Sequence, residues 1–369
     1  MKFRNQTQPL STSSWICFVF LFLALANSAI AQDSTATNTI KSPLFAAETP
    51  IEFTLKLDVK AVKNDNSDDP QYSDGSLILK NPGAGTKEFS LKVKARGHAR
   101  RVYDFCTFPP IKINFKKSEV KGTVFDGQDK LKLVSYCRDI NDYEYLVLKE
   151  YLIYKIFNLI TPNSFEVRLA QVTYQDINDS GKPITRYGFL IEDDEQMATR
   201  TGGKLTDVML ANHDRCERNS LDIFTIFEYM IGNTDWWMAR PKTHNVLLVA
   251  MSNGNILPIP YDFDYSGLVG ASYAVPDEKL GTKDVKERIF RGYCRFPGTY
   301  EKTAEIFMAK RQDIFSLVES FELLPEVQRK IMIKYLEAFY SDIENPQTFN
   351  TKINKACELD HDHLYKVKK

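Results

Sequence analysis

Three short stretches decide how this chain is read: Ile231-Gly232-Asn233-Thr234-Asp235-Trp236-Trp237, His244-Asn245-Val246-Leu247-Leu248 and Pro260-Tyr261-Asp262-Phe263-Asp264. Residues 221–231 carry apolar side chains at helical spacing, and the runs 246–250 and 256–260 read as a pair of strands. Asp235 therefore falls in a loop behind a helix, Asn245 opens a hairpin, and Asp262 and Asp264 follow its second strand. Phosphoryl transfer asks little more of a protein than this: a carboxylate to receive or orient the attacking hydroxyl, and oxygen ligands to hold a divalent metal on the phosphates. Asp, Asn and Asp supply those roles in that chain order. A lone Asp behind a helix is more often a cap, and an Asp at a strand end often only solvates a turn. The combination, framed by apolar strands, points to a metal-phosphate site.

Toward the N-terminus the pattern changes to period two. Residues 51–62 alternate through Ile51, Phe53, Leu55, Leu57 and Val59 and predict a strand. The polar loop 64–75 contains Asp65, Asp68 and Asp69 without the spacing of an EF-hand, so a solvated turn is expected there. Further strands are expected at 76–80, 89–95, 111–115 behind Pro109-Pro110, 131–136, 165–174 and 187–191. Between them, residues 143–159 place Leu146, Leu148, Tyr151, Leu152 and Ile156 on a helix that starts behind Asn141 or Asp142 as a cap. From residue 205 onward helices dominate, notably most of 300–340. The expected fold is α+β in two lobes: a β-rich N-terminal lobe at 49–195 with one long helix, and a helical C-terminal lobe at 196–369 that carries the catalytic segment 231–266. The boundary is expected near 193–203.

Lys2 and Arg4, an apolar run over 15–25 and the small residues Ser28-Ala29-Ile30-Ala31 read as a signal peptide at 1–31, followed by a Ser/Thr/Asn-rich leader at 32–48. The apolar run falls short of the roughly 20 residues that span a bilayer, no comparable run follows, and Gln32-Asp33-Ser34 lacks a lipoprotein cysteine. The expectation is a secreted or periplasmic protein with no permanent membrane anchor. With 48 basic and 48 acidic side chains the net charge is zero, which argues against bulk affinity for nucleic acid or anionic lipid. Five cysteines lie beyond the leader, and Cys106 and Cys137, beside strands that can be sheet neighbours, form the first expected disulfide; an odd count leaves a thiol. No CxxC, HExxH, GxSxG or dinucleotide-binding glycine fingerprint occurs, so structural zinc, metalloprotease, serine hydrolase and dehydrogenase chemistry are disfavoured. Nothing marks a carboxylate pair for glycoside hydrolysis.

From about residue 87 to 266 the chain resembles the CotH-type kinases, the secreted and spore-coat branch of the atypical kinases. The resemblance is carried by IGNTDWW (231–237), HNVLL (244–248) and PIPYDFDYS (258–266). It extends to ARGHARR (95–101), FPPIKINF (108–115), the helix at 143–159 and YGFLIEDDE (187–195). It implies a two-lobed protein-kinase-like fold that transfers phosphate from ATP to a hydroxyl of a protein or other extracellular acceptor such as a glycan. Asp235 would be the catalytic Asp, and Asn245 and Asp262 would hold Mg²⁺ or Mn²⁺ with Asp264 assisting. On the nucleotide side the candidates are Lys112, with Lys132 as its rival, held by Glu150 or Glu144, together with Arg96 and Glu192. Arg96, Arg100 and Arg101 can clamp an anion or pair with Asp104.

Two departures accompany the resemblance. Asp235 and Asn245 are ten positions apart (245 − 235), against about five in the kinase catalytic loop, so an insertion is expected to loop out over 238–242. No GxGxxG precedes the first strands, where Gly83 and Gly85 only mark a turn. Trp236 and Trp237 read as packing in preference to a nucleobase shelf. His244 reads as a residue that orients the loop, and Asp360-His361-Asp362-His363 as a solvated tail. The missing glycine loop and the scarcity of nucleotide outside the cytoplasm define the alternative, an inactive pseudokinase serving as a binding or structural module of the envelope.

Overall fold

The computed structural model describes residues 41–81, 85–102, 105–178, 181–206, 213–239 and 242–359. The expected signal peptide, most of the leader, Gly83, Asp104 and the His361 and His363 tail lie outside the described residues.

Strand β1 (Ile51–Leu57) buries alternate side chains, but the strand expected to reach residue 62 stops early. Asp58 accepts a hydrogen bond from the Ala61 amide at 2.8 Å and opens helix α1 (Val59–Asn64). Then come β2 (Ser73–Asn81), β3 (Gly85–Ala95), the short helix α2 (Ala99–Val102), β4 (Ile111–Phe115), α3 (Lys117–Val120) and β5 (Lys130–Val134). Helix α4 (Asn141–Ile160) leads to β6 (Val167–Asp176) and β7 (Ile184–Ile191). The strands close into a barrel in the order β1-β2-β3-β4-β5-β7-β6, because β1 pairs antiparallel with β2 and parallel with β6. Closure leaves the sheet no open edge. Phe53, Leu55, Leu77, Val93, Ile113, Leu131, Leu133 and Val172 fill the inside. Lysines therefore face outward from β3, β4 and β5.

Helix α4 is capped by neither expected residue. It begins at Asn141 behind Ile140 without a side-chain cap, since Asn141 Oδ1 accepts from Arg186 instead. The helix is buried on most of its circumference, as a central element must be. Its apolar residues join one continuous core with the helices that follow.

After β7 the chain passes through α5 (Asp194–Arg200) and β8 (Gly203–Leu205). Helix α6 (Arg218–Ile231) is capped by Glu217, which accepts from the Asn219 and Ser220 amides. Strands β9 (Trp237–Ala239) and β10 (Lys242–His244) pair with each other, and β11 (Val246–Met251) lies between β12 (Ile256–Pro260) and β8. Helices α7 (Thr299–Glu319) and α8 (Glu326–Glu344) complete a mixed α+β architecture, sheet-rich at the N-terminal side and helical at the C-terminal side. The described residues cluster as one unit.

Cys106 and Cys137 form a disulfide, and Cys294 and Cys357 form a second, while Cys216 is in neither. Among the described residues no helix is long and apolar enough to cross a membrane.

Candidate functional site

Asp235 owes its place to the end of α6. Gly232 adopts φ 64°, and a Cβ there would fall 1.9 Å from the Tyr335 hydroxyl, so only glycine lets the helix stop at this point. Asn233, buried behind it, accepts the Asp235 amide on its side-chain oxygen at 3.0 Å. The expected insertion does not loop out loosely. It is the hairpin β9–β10, whose register sets Trp237 opposite His244 and so returns the chain to Asp235. His244 Nε2 lies 3.1 Å from Asp235 Oδ1, and Asn245 Nδ2 donates to the Asp235 carbonyl at 2.8 Å and to Oδ2 at 3.1 Å. The ten-residue spacing is thus reconciled with direct contact.

Asn245 and Asp262 are the non-glycine residues with positive φ among those described, at 54° and 64°. Such backbone costs about 1 kcal/mol even where Asn and Asp tolerate it, and persists where the surroundings over-determine it. Here the Tyr261 amide donates to the Asn245 carbonyl at 3.1 Å, and the Asp262 amide donates to the Tyr154 hydroxyl on α4 at 3.0 Å. The strand ends, the helix end and α4 are locked together at this point.

These residues border a cleft of about 390 Å³ that also receives Arg96, Arg100, Glu150 and Asp264. Arg100, on α2, is buried and places Nε and Nη2 on Asp264 Oδ2 at 3.2 and 3.0 Å, with Nη2 also 3.3 Å from Glu150. Tyr273 donates to the same Asp264 oxygen at 3.0 Å. Burial works against the Arg100 charge, but Tyr273, Asp264 and Glu150 more than offset it and raise its pKa. Burial also pushes the Glu150 carboxyl well above its usual range, with Asp264 and Asp262 adding repulsion that Arg100 partly relieves. Asp262 reaches the mouth of the cleft, yet the enclosing protein and the Asp264 charge push its carboxyl up to about 6. Asp235 is half-exposed at the rim.

Of the eight residues singled out from the sequence, Arg96, Glu150, Asp235, Asn245, Asp262 and Asp264 meet in this cleft, and Lys112 and Glu192 do not line it. Glu150 holds Arg100 and not a lysine, and Glu144 pairs with Arg186 and accepts the Tyr187 amide. Glu192 is buried against Arg200. Lys112 lines a neighbouring groove of about 460 Å³ with Asp193 and Asp194, and its rival Lys132 pairs with Asp194 and lies 5.6 Å from the Tyr261 ring centroid. Asp264, expected to assist at a metal, lines the cleft and gives its Oδ2 to Arg100 and Tyr273. Trp236 is core, edge-on to Phe224, and Trp237 stacks on His244. The Asp65 cluster is a hydrogen-bonded turn that Arg101 joins through the Asp65 and Ser67 carbonyls.

Sequence reasoning missed Tyr154, whose hydroxyl accepts the Asp262 amide from 108 residues away, and Tyr273, whose hydroxyl reaches Asp264 nine residues back. It also missed Glu228 on α6, buried beside Asn233; burial, only partly relieved by the Asn233 side chain and reinforced by Asp235, raises its pKa well above the usual range. A Glu on the apolar face of a helix was the available clue.

Among the described residues no three His, Cys, Asp or Glu side chains converge as a metal cage. The donor set at Asn245 and Asp262 suits a different kind of ion. Asn245 spends its amide N–H groups on Asp235 and leaves Oδ1 as a ligand, beside a carboxylate at the cleft mouth. Mg²⁺ takes one or two such protein oxygens and completes its shell with water and substrate phosphate.

No family model matches the chain, and no curated protein sequence does. Among solved structures it is weakly similar to the crystal structure of a Helicobacter pylori proinflammatory kinase, CtkA. The identity is 14% and the TM-score 0.35, over 75% of this chain and 91% of that one.

Proposed function

We propose that the cleft is the active site of a metal-dependent phosphotransferase on a protein-kinase-like plan, which moves the terminal phosphoryl group of ATP to a hydroxyl of a protein or glycan. The observation that carries this reading is the meeting of Asp235, Asn245 and Asp262, with the last two held in left-handed backbone by contacts from β12 and α4. Asp235 is the group that receives or orients the acceptor proton. It is half-exposed, as a residue that meets an incoming hydroxyl must be, and His244 and Asn245 fix both its oxygens. Mg²⁺ or Mn²⁺ on Asn245 and Asp262 would neutralise the phosphate oxygens and align them. Arg96 and Arg100 add fixed positive charge to the cleft wall.

The nucleotide body is assigned to the groove bordered by Lys112, Asp193 and Asp194. In the kinase plan the phosphate-contacting lysine is on the strand ahead of the conserved helix. Here that position falls to Lys132 on β5, directly before α4. Two disulfides suit an oxidising compartment, in keeping with an exported protein.

The test is labelled ATP with Mg²⁺ or Mn²⁺ and an acceptor mixture, given to wild type, Asp235→Ala and Asp262→Ala. Loss of a general base or metal ligand is expected to cut labelling by about 10²–10⁴-fold. Equal labelling by all three proteins sinks the assignment. No labelling by wild type, with a metal-dependent thermal shift lost only in Asp262→Ala, would leave a binding module in place of an enzyme.

A further inference from the structure

We infer that the cleft takes one divalent cation, on Asn245 and Asp262, and that the Arg100 guanidinium occupies the place of a second. The inference rests on the metal-phosphate reading above and concerns how that site is charged.

Asp264 and Glu150 are the two buried acids of the cleft, and each gives one carboxylate oxygen to Arg100. Three donors, Arg100 Nε, Arg100 Nη2 and the Tyr273 hydroxyl, converge on the single oxygen Oδ2 of Asp264 at 3.2, 3.0 and 3.0 Å. Glu150 Oε2 takes Arg100 Nη2 from the other side at 3.3 Å. A planar cation that bridges two carboxylates at hydrogen-bond distance does the electrostatic work of a bridging metal ion, with directional donors and no exchange with solvent.

The remaining edge of the guanidinium is the second observation. Arg100 is 9% exposed, it borders the cleft, and its Nη1 is enclosed without a partner. A buried unpartnered cationic donor is costly, and negative charge in the cleft offsets part of that cost through space. Arg100 therefore acts on the cleft through its charge from within the wall, as a fixed cation bridging two acids.

Asp262 differs on each count. It lies at the cleft mouth, has no ion-pair partner among the described residues, and lines the same cleft as Asn245. One ion fits there, and its coordination is completed from the substrate side.

Mn²⁺ bound per chain is counted by EPR in the presence of a non-hydrolysable ATP analogue, with an analogue-only control subtracted. Wild type is expected to hold one ion, Asp264→Asn still one, Asp262→Asn none, and Arg100→Gln two. Two ions on wild type, none on Asp264→Asn, or one on Arg100→Gln overturns the inference while leaving the metal site in place. No ion on wild type overturns the metal reading itself and the inference with it. If Arg100→Gln fails to fold, the contrast between the Asp264 and Asp262 variants decides alone.

Discussion

The floor of the cleft and the outer face of the barrel both present basic side chains, with opposite consequences. On the floor Arg100 is enclosed and bridges Asp264 to Glu150. On the outer face, register places Lys94, Lys112 and Lys132 directly opposite one another across β3, β4 and β5. Like charges side by side on a sheet repel. Solvent and the flanking acids Asp69 and Asp194 moderate that repulsion. Lys94 and Lys132 are half-buried and paired, so of the three it is Lys112 that borders the groove, whereas Arg100 is enclosed between two acids.

The largest expected effect tests the enclosed side. Arg100→Ala removes the partner of two buried carboxylates, and breaking such a pair costs about 3–5 kcal/mol. Denaturant unfolding of the metal-free protein measures it, and a loss below about 1 kcal/mol would place the pair in solvent. Next comes the disulfide that ties the segment between α2 and β4 to the segment that follows β5. It closes 31 residues, so the double variant Cys106→Ser/Cys137→Ser is expected to lose about 3–4 kcal/mol. Because α2 carries Arg100, metal or nucleotide affinity in that variant, read by calorimetry, reports whether the disulfide also sets the site.

Glu228 sharpens the comparison through pH. Its folded pKa is raised above the unfolded value, so the folded chain keeps a proton that the unfolded chain releases. Its stabilising contribution is present below the ordinary carboxylate range and is lost as pH rises toward the folded value, with a slope of up to about 1.4 kcal/mol per pH unit. Glu228→Gln should flatten that fall in a series of melting curves from pH 5 to 8. An unchanged slope would mean the carboxyl stays ionised in the fold. The smallest effect belongs to the open side: Lys112→Ala should leave stability within about 0.5 kcal/mol. If the neighbouring groove takes the nucleotide, the same variant weakens ATP binding, measured by fluorescence titration.

Much of the framework was legible along the chain. Alternation marked the barrel strands, since each buries one face, and β4 occupies the residues expected of it. Helical spacing marked α4, α6, α7 and α8. What went astray there was local chemistry: Asp58 ended a strand that apolar alternation continued through Val59, and Asn141 spent its side chain on Arg186 instead of a cap. Barrel closure was not legible, because the parallel pairing of β1 with β6 joins segments more than a hundred residues apart.

The sequence by itself placed Asp235, Asn245 and Asp262 each at the end of a regular element, in the order the proposed metal-phosphate site requires. That much is local, because a helix end, a hairpin start and a strand end are written in neighbouring residues. Only the tertiary structure decided how those groups are used. It closed the ten-residue gap with a hairpin and bent Asn245 and Asp262 into left-handed backbone. It also gave Arg100 to Asp264 and Glu150 across separations of 164 and 50 residues. Charge pairing in a cleft depends on which segments the fold brings back to one place, and no spacing along the chain encodes that return.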